Sequence, residues 1–170
     1  MTITLAETVR PGLDLSLSLD LQASRTNLWR CWTEGTLLRR WFAPEPWSVT
    51  RAELDVRPGG TMQVTMCGPE GEENAGSSVY LEVVPEQRLV WTMAFSEAWI
   101  PSDNPFMVAI IAFGDLPDGN TRYEALVRHW TSEACDQHSE MGFEAGWTKC
   151  ARQLEALAQT LAEQADRPES

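Results

Sequence analysis

Leucines at 13, 15, 17, 19 and 21 alternate with Asp14, Ser16, Ser18 and Asp20, a period of two that predicts a half-buried strand. Ser24 is placed to cap a helix through Leu28, Trp29, Arg30 and Trp32, broken near Gly35. TLLRRWF (36–42) predicts a second short helix ending before Pro44. From Trp47 onward the period returns to two. WSVTRAEL (47–54) and TMQVTMC (61–67) flank DVRPGGTM (55–62), where Pro58 presets φ and Gly59 supplies the positive φ of a type II turn. That segment is a hairpin. GPEGEENAG (68–76) reads as a polar loop, and SSVYLEVV (77–84) and RLVWTMAF (88–95) as strands divided at Pro85–Glu86. Beyond a loop with Pro101 and Pro105, FMVAIIAF (106–113) is apolar on both faces, which suits a covered interior strand. LPDGN (116–120) turns the chain into a seventh strand, TRYEALVRHW (121–130).

The last periodic segment changes to a period near 3.6. Between 139 and 162, Phe143, Trp147, Cys150, Leu154, Leu157 and Leu161 fall on one stripe, with Ala151 and Ala158 flanking it. Lys149, Arg152, Glu155 and Gln159 lie away from it. A helix of that length spans roughly 36 Å, about the width of a small domain. With one apolar stripe it must lie across a broad apolar surface, and the sheet is the only candidate. Gly142 and Gly146 are expected to let it approach closely.

Composition narrows the function classes. The chain has 170 residues and a net charge of −12, with 13 Lys and Arg against 25 Asp and Glu. A phosphate-binding face needs basic residues, so nucleic acid and anionic membrane are excluded as partners. One domain at 13–162 is expected, with loose termini at 1–12 and 163–170. No signal-peptide pattern or membrane-length apolar run appears, and the four cysteines form no CxxC pair, so a cytoplasmic protein with free thiols is expected.

LWRCWTEGTLLRRWF (28–42), DVRPGG (55–60), PEQRLVWT (85–92), the strand Thr121–His129 and HSEMGFEAGW (138–147), in that order, resemble the bacterial single-domain homologues of the activator of Hsp90 ATPase. That family lies in the START-like (SRPBCC, polyketide cyclase, Bet v 1-like) superfamily. The resemblance implies an α+β helix-grip fold: a curved antiparallel sheet of about seven strands, two short helices near the N-terminus and one long C-terminal helix across the sheet. It also implies an internal cavity that takes apolar small molecules. The eukaryotic co-chaperone of the family engages its chaperone through a separate N-terminal domain, for which this chain is too short.

Candidate chemistry gathers around that interior. Trp91, Met93 and Phe95 alternate on one face of the fifth strand, and Phe143 and Trp147 come from the helix. With eight tryptophans in the chain, these are either the walls of a pocket for a flat apolar ligand or plain core. His129 shares a strand face with Tyr123 and is either a pocket acid/base or a satisfied polar group at the strand's end. Glu140 falls on the helical stripe, where it could face a ligand; first-turn glutamates are also common because the helix dipole favours them. Cys135 and His138, with His129 nearby, give a C-x-x-H spacing that lacks the remaining zinc ligands, so no metal is expected, nor any cofactor. No nucleophile elbow or phosphate-cradling loop is present. The expectation is a non-enzymatic binder of an apolar or aromatic molecule, with Trp91, Met93, Phe95, Tyr123, His129, Glu140, Phe143 and Trp147 at the site. Two alternatives stand beside it: a cyclase, dehydratase or hydrolase using His129, Tyr123 and Glu140, and a chaperone-interacting protein. A homodimer is left open.

Overall fold

The computed structural model describes residues 5–168. Its elements are β1 (Asp14–Leu21), α1 (Arg25–Thr33), α2 (Gly35–Leu38), β2 (Ser48–Leu54), β3 (Thr61–Cys67), β4 (Glu73–Val84), β5 (Arg88–Thr92), β6 (Val108–Asp115), β7 (Thr121–Arg128), α3 (Ser132–Glu140) and α4 (Phe143–Ala165). All seven strands join one antiparallel sheet in the order β1-β7-β6-β5-β4-β3-β2. The fold is a helix grip: the curved sheet wraps the buried stripe of α4.

Alternation places side chains on the two faces of this sheet. In register, Trp91, Ala109, Val127 and Leu15 form one row across β5, β6, β7 and β1, and Leu89, Ile111, Ala125 and Leu17 form the next. These rows share a core with Leu28, Trp32 and Leu38 of the short helices and with Phe143, Ala151, Leu154, Leu157, Ala158 and Leu161 of α4. Each fully buried Leu contributes roughly 1.5–3 kcal/mol. On the other face Val90, Ile110 and Leu126 cluster, covered by Leu5, Val9 and Val108. This explains why β6 is apolar on both sides: it is an interior strand with an N-terminal segment laid over its back. Residues 1–4 and 169–170 of the expected loose ends lie outside the described residues. Within the rest, a 3-10 turn at Leu5–Thr8 leads into that cover, and α4 runs on to Ala165.

Local chemistry sets the connections. Ser24 caps α1 by accepting from the Asn27 N–H at 3.2 Å. The β2–β3 turn closes through the Gly60 N–H on the Arg57 carbonyl at 2.8 Å, with Gly59 at φ +84. A Cβ at Gly60 would stand 1.9 Å from the Asp55 carbonyl oxygen, so only glycine fits. No helix among the described residues is long and apolar enough to cross a membrane.

Four expectations need correction. The second short helix is a single turn, Gly35–Leu38, rather than 36–42; Trp41 then anchors the chain by donating its Nε1–H to the Cys31 carbonyl at 2.9 Å. Residues 73–76, expected in a loop, extend β4, because β3 offers them a ladder from Val64↔Gly76 to Cys67↔Glu73. The fifth strand ends at Thr92, whose hydroxyl accepts from the Ala94 N–H and turns the chain away. The closing helix is two helices. Gly142 sits at φ +91 and divides α3 from α4, and a Cβ at Gly142 or Gly146 would meet nothing within 4 Å. Neither glycine serves close approach to the sheet.

Candidate functional site

At the end of β7 nearest α3, His129 and His138 are both buried. His129 Nδ1 lies 3.0 Å from the Leu13 carbonyl, and its Nε2 lies 2.9 Å from His138 Nδ1. A carbonyl only accepts, so His129 donates from Nδ1, and as a neutral ring it accepts at Nε2. His138 then donates from Nδ1 and keeps a bare lone pair on Nε2. Burial, and after it the neighbouring His129, push the His138 pKa down to about 4, so His138 is neutral at pH 7. Phe106 stands 5.0 Å from the His138 ring and 5.8 Å from that of His129, Phe143 lies 5.1 Å from His138, and Trp147 lies 6.3 Å from it.

Behind this pair lies the aromatic interior. Trp91 is the register partner of Tyr80 across β5 and β4, and both are buried. Phe42 bridges them to the helices, with ring centroids 6.4 Å from Trp91 and 5.7 Å from Trp32. Trp41 spends its indole N–H on Cys31, but the Trp91 Nε1–H and the Tyr80 O–H have no acceptor. The Trp32 Nε1–H is near the Tyr123 hydroxyl, short of hydrogen-bonding geometry. Burial pushes both phenols, Tyr80 and Tyr123, above their ordinary value, and burial pushes Cys31 and Cys150 up to about 12. All four are protonated near neutrality, and none is an activated nucleophile.

The structure brings only part of the expected set together. Trp91, His129, Phe143 and Trp147 border the sheet–helix interior, and Met93 packs half-buried beside them, its N–H on the Met107 carbonyl at 3.0 Å. Tyr123 is on the same strand face as His129 but six positions away, roughly 20 Å at the rise of a strand. Glu140 is exposed at the end of α3, not on the buried stripe, because the helix breaks after it. Phe95 has left the strand and packs edge-on to Trp99 at 5.9 Å, outside the aromatic wall. Tyr123, His129 and Glu140 therefore cannot act on one bond. Cys135 and His138 do share the buried side of α3, but His138 turns its ring nitrogen to His129, and no group of three possible metal ligands occurs among the described residues. Sequence reasoning misses Tyr80, Phe42 and Phe106 and treats His138 only as a possible zinc ligand. Alternation in β4 could have placed Tyr80, whereas nothing in the sequence pairs His138 with His129 across the β7–α3 turn.

Two concavities open on the surface of the described residues, one of about 430 Å³ beside Arg10, Arg128 and Trp130 and one of about 500 Å³ on α4 at Glu144 and Lys149. Neither lies between the sheet and α4.

A family model described as "Activator of Hsp90 ATPase homolog 1-like protein" matches residues 22–159, from the end of β1 through most of α4. The chain belongs to this family. Among solved structures, the activator of Hsp90 ATPase homolog 1-like chain is similar to protein NE0264 from Nitrosomonas europaea, with 37% identity, a TM-score of 0.87, and coverage of 91% of this chain and 99% of the other. Protein Ms6760 from Mycobacterium smegmatis is 26% identical, with a TM-score of 0.73 over 86% of this chain and 90% of its own. A likeness in fold alone extends to an AHSA1-like protein from Aeromonas hydrophila, 16% identical, with a TM-score of 0.69 over 93% of this chain and 100% of its own. No curated protein matches the sequence.

Proposed function

We propose that the protein binds an apolar small molecule bearing a hydrogen-bond acceptor in the interior between the sheet and α4. The observation that carries this reading is the cross-strand pair Tyr80 and Trp91, two buried donors with no acceptor. Each such orphan costs roughly 1–3 kcal/mol in a folded protein, and a carbonyl or ether oxygen of a guest that reaches either donor would relieve it. The rim supports entry. Phe42, Met93, Met107 and Trp147 are half-buried against the core, and methionine side chains repack around a guest at little cost. Among the described residues the one buried carboxylate is Asp14, in register with Arg128 on the sheet face opposite Val127, so an uncharged guest suits the interior. Tyr123, His129 and Glu140 stand too far apart to act as one acid/base set, which favours the binding reading.

The test is a matched pair of probes, benzophenone and diphenylmethane, which differ in one acceptor oxygen. Benzophenone should raise the melting temperature more, and the difference should vanish in Tyr80→Phe combined with Trp91→Phe. Equal effects of the two probes, or none from either, would reject the reading. Native mass spectrometry of the purified protein supplies the natural guest.

A second reading has its own observation. The family's name refers to Hsp90 ATPase, and Trp99 and Ile100 are 54% and 60% exposed on a loop where Ala98 and Trp99 both take left-handed φ. Strained backbone that presents two apolar side chains suits a protein partner. The ATPase rate of an Hsp90 with the wild type and with Trp99→Ser tests it; no change with either rejects it.

A further inference from the structure

A cationic corner stands at the outer end of β7, in a chain whose net charge is −12. Asp14 is the register partner of Arg128, and its side chain is fully buried between two guanidiniums. Arg10 donates to it from its backbone N–H, Nε and Nη2, and Arg128 donates from Nη1. Arg10 Nη2 also reaches the His129 carbonyl, while Arg128 holds the carbonyl and hydroxyl of Thr8. Among the described residues, two guanidiniums face one carboxylate here, one positive charge more than the ion pairs pair off. Arg10 Nη1 and Arg128 Nε make no hydrogen bond among the described residues.

Both arginines line the concavity of about 430 Å³, whose other walls are Val108, His129 and Trp130. The concavity is open to solvent, so it would cover one side of a bound ring. Trp130 is 52% exposed, an indole left open to solvent beside the arginines. An aromatic face next to free guanidinium N–H groups recognises a flat apolar body with an anionic end.

We infer that this corner binds an aromatic carboxylate. The charge count selects a monoanion: a dianionic phosphate would leave surplus negative charge close to the buried Asp14 carboxylate. Val108 and Arg128 point to the face of the sheet opposite Trp91 and Val127, so the arginine end of the site lies on the other side of the sheet from the interior.

The experiment titrates ¹⁵N-labelled protein with 2-naphthoate, 2-naphthamide and 2-naphthyl phosphate, following the Trp130 indole N–H and the Nε–H signals of Arg10 and Arg128. The carboxylate should give saturable shifts at these three groups and bind at least about tenfold more tightly than the amide. Added salt should weaken it, since the arginines are partly exposed. Trp130→Ala, at an exposed position, should fold normally and bind roughly fivefold or more weakly. Trp147→Ala serves as the control for the interior and should leave this binding unchanged. Equal affinity for acid and amide, tighter binding of the naphthyl phosphate, or shifts confined to the signals of Trp91 and Trp147 would each overturn the inference.

Discussion

His129 Nε2 and His138 Nδ1 face each other at 2.9 Å, and this contact ties the end of β7 to α3. The pair sits among Phe106, Phe143 and Trp147, where a charged imidazolium has little to solvate it. Its consequence is a dependence of stability on pH. The His138 pKa is about 4 in the folded chain against an ordinary value near 6.5. Between those values the unfolded chain takes up a proton that the folded chain refuses. Stability is therefore full above about pH 6.5 and falls as pH drops towards 4, by about 3 kcal/mol at most. Asp14 does not confuse this window. Burial raises its pKa, but hydrogen bonds from Arg10 and the charges of Arg128 and Arg10 outweigh that and hold it below the usual carboxylate value, so its loss comes at lower pH. Urea unfolding at pH 7.5 and 4.5 measures the difference, and His138→Gln should flatten it. An unchanged slope would mean that His138 titrates normally.

Asp14 is the buried charge on which β1, β7 and the N-terminal cover converge. Asp14→Asn keeps the shape but removes the charge that two guanidiniums share. Breaking a buried pair costs roughly 3–5 kcal/mol, and the partial exposure of Arg10 and Arg128 puts this case at the low end, about 3 kcal/mol. The midpoint of urea unfolding reads it. A loss below about 1 kcal/mol would class the cluster with ordinary surface ion pairs.

Two glycines should respond in opposite directions to the same change. Gly60→Ala drives a Cβ to 1.9 Å from the Asp55 carbonyl oxygen, and the β2–β3 turn must distort to admit it. The expected loss is at least about 2 kcal/mol. Gly146 lies inside α4, where an added Cβ meets nothing within 4 Å. Gly146→Ala should stabilise the protein by roughly 0.5–1 kcal/mol through helix propensity alone. Melting temperatures of the two variants decide both cases.

The contrast between these glycines shows what could be read from residues alone. The Gly59–Gly60 turn was legible because Pro58 and the alternation on either side fix its chemistry locally. The leucine strand, the Ser24 cap, the interior position of β6 and the stripe of α4 were legible for the same reason: each is a period or a cap within one segment. Features that depend on a partner element were hidden. Residues 73–76 are polar and turn-rich, and they become a strand only because β3 offers hydrogen bonds. Gly142 breaks the helix where the sequence stripe continues through Glu140, and His138 then faces its partner on β7 rather than α4. Tyr80 and Trp91 each follow from alternation, but their shared lack of an acceptor is visible only once the two strands pair.

Trp147 separates a plain core from a binding site. It is half-buried, its ring 5.1 Å from Phe143 and 6.3 Å from His138. A fully buried Trp cut back to Ala costs roughly 3–5 kcal/mol, so a half-buried one should cost about 2 kcal/mol. In the proposed binding reading, the change removes an aromatic wall while leaving Tyr80 and Trp91 in place. Trp147→Ala should therefore remain folded and keep its preference for benzophenone over diphenylmethane, because the orphan donors are intact. Its affinity for both probes should fall, by roughly tenfold if the indole covers a bound ring. A variant that loses the full 3–5 kcal/mol while the wild type ignores both probes would make Trp147 simply part of the core.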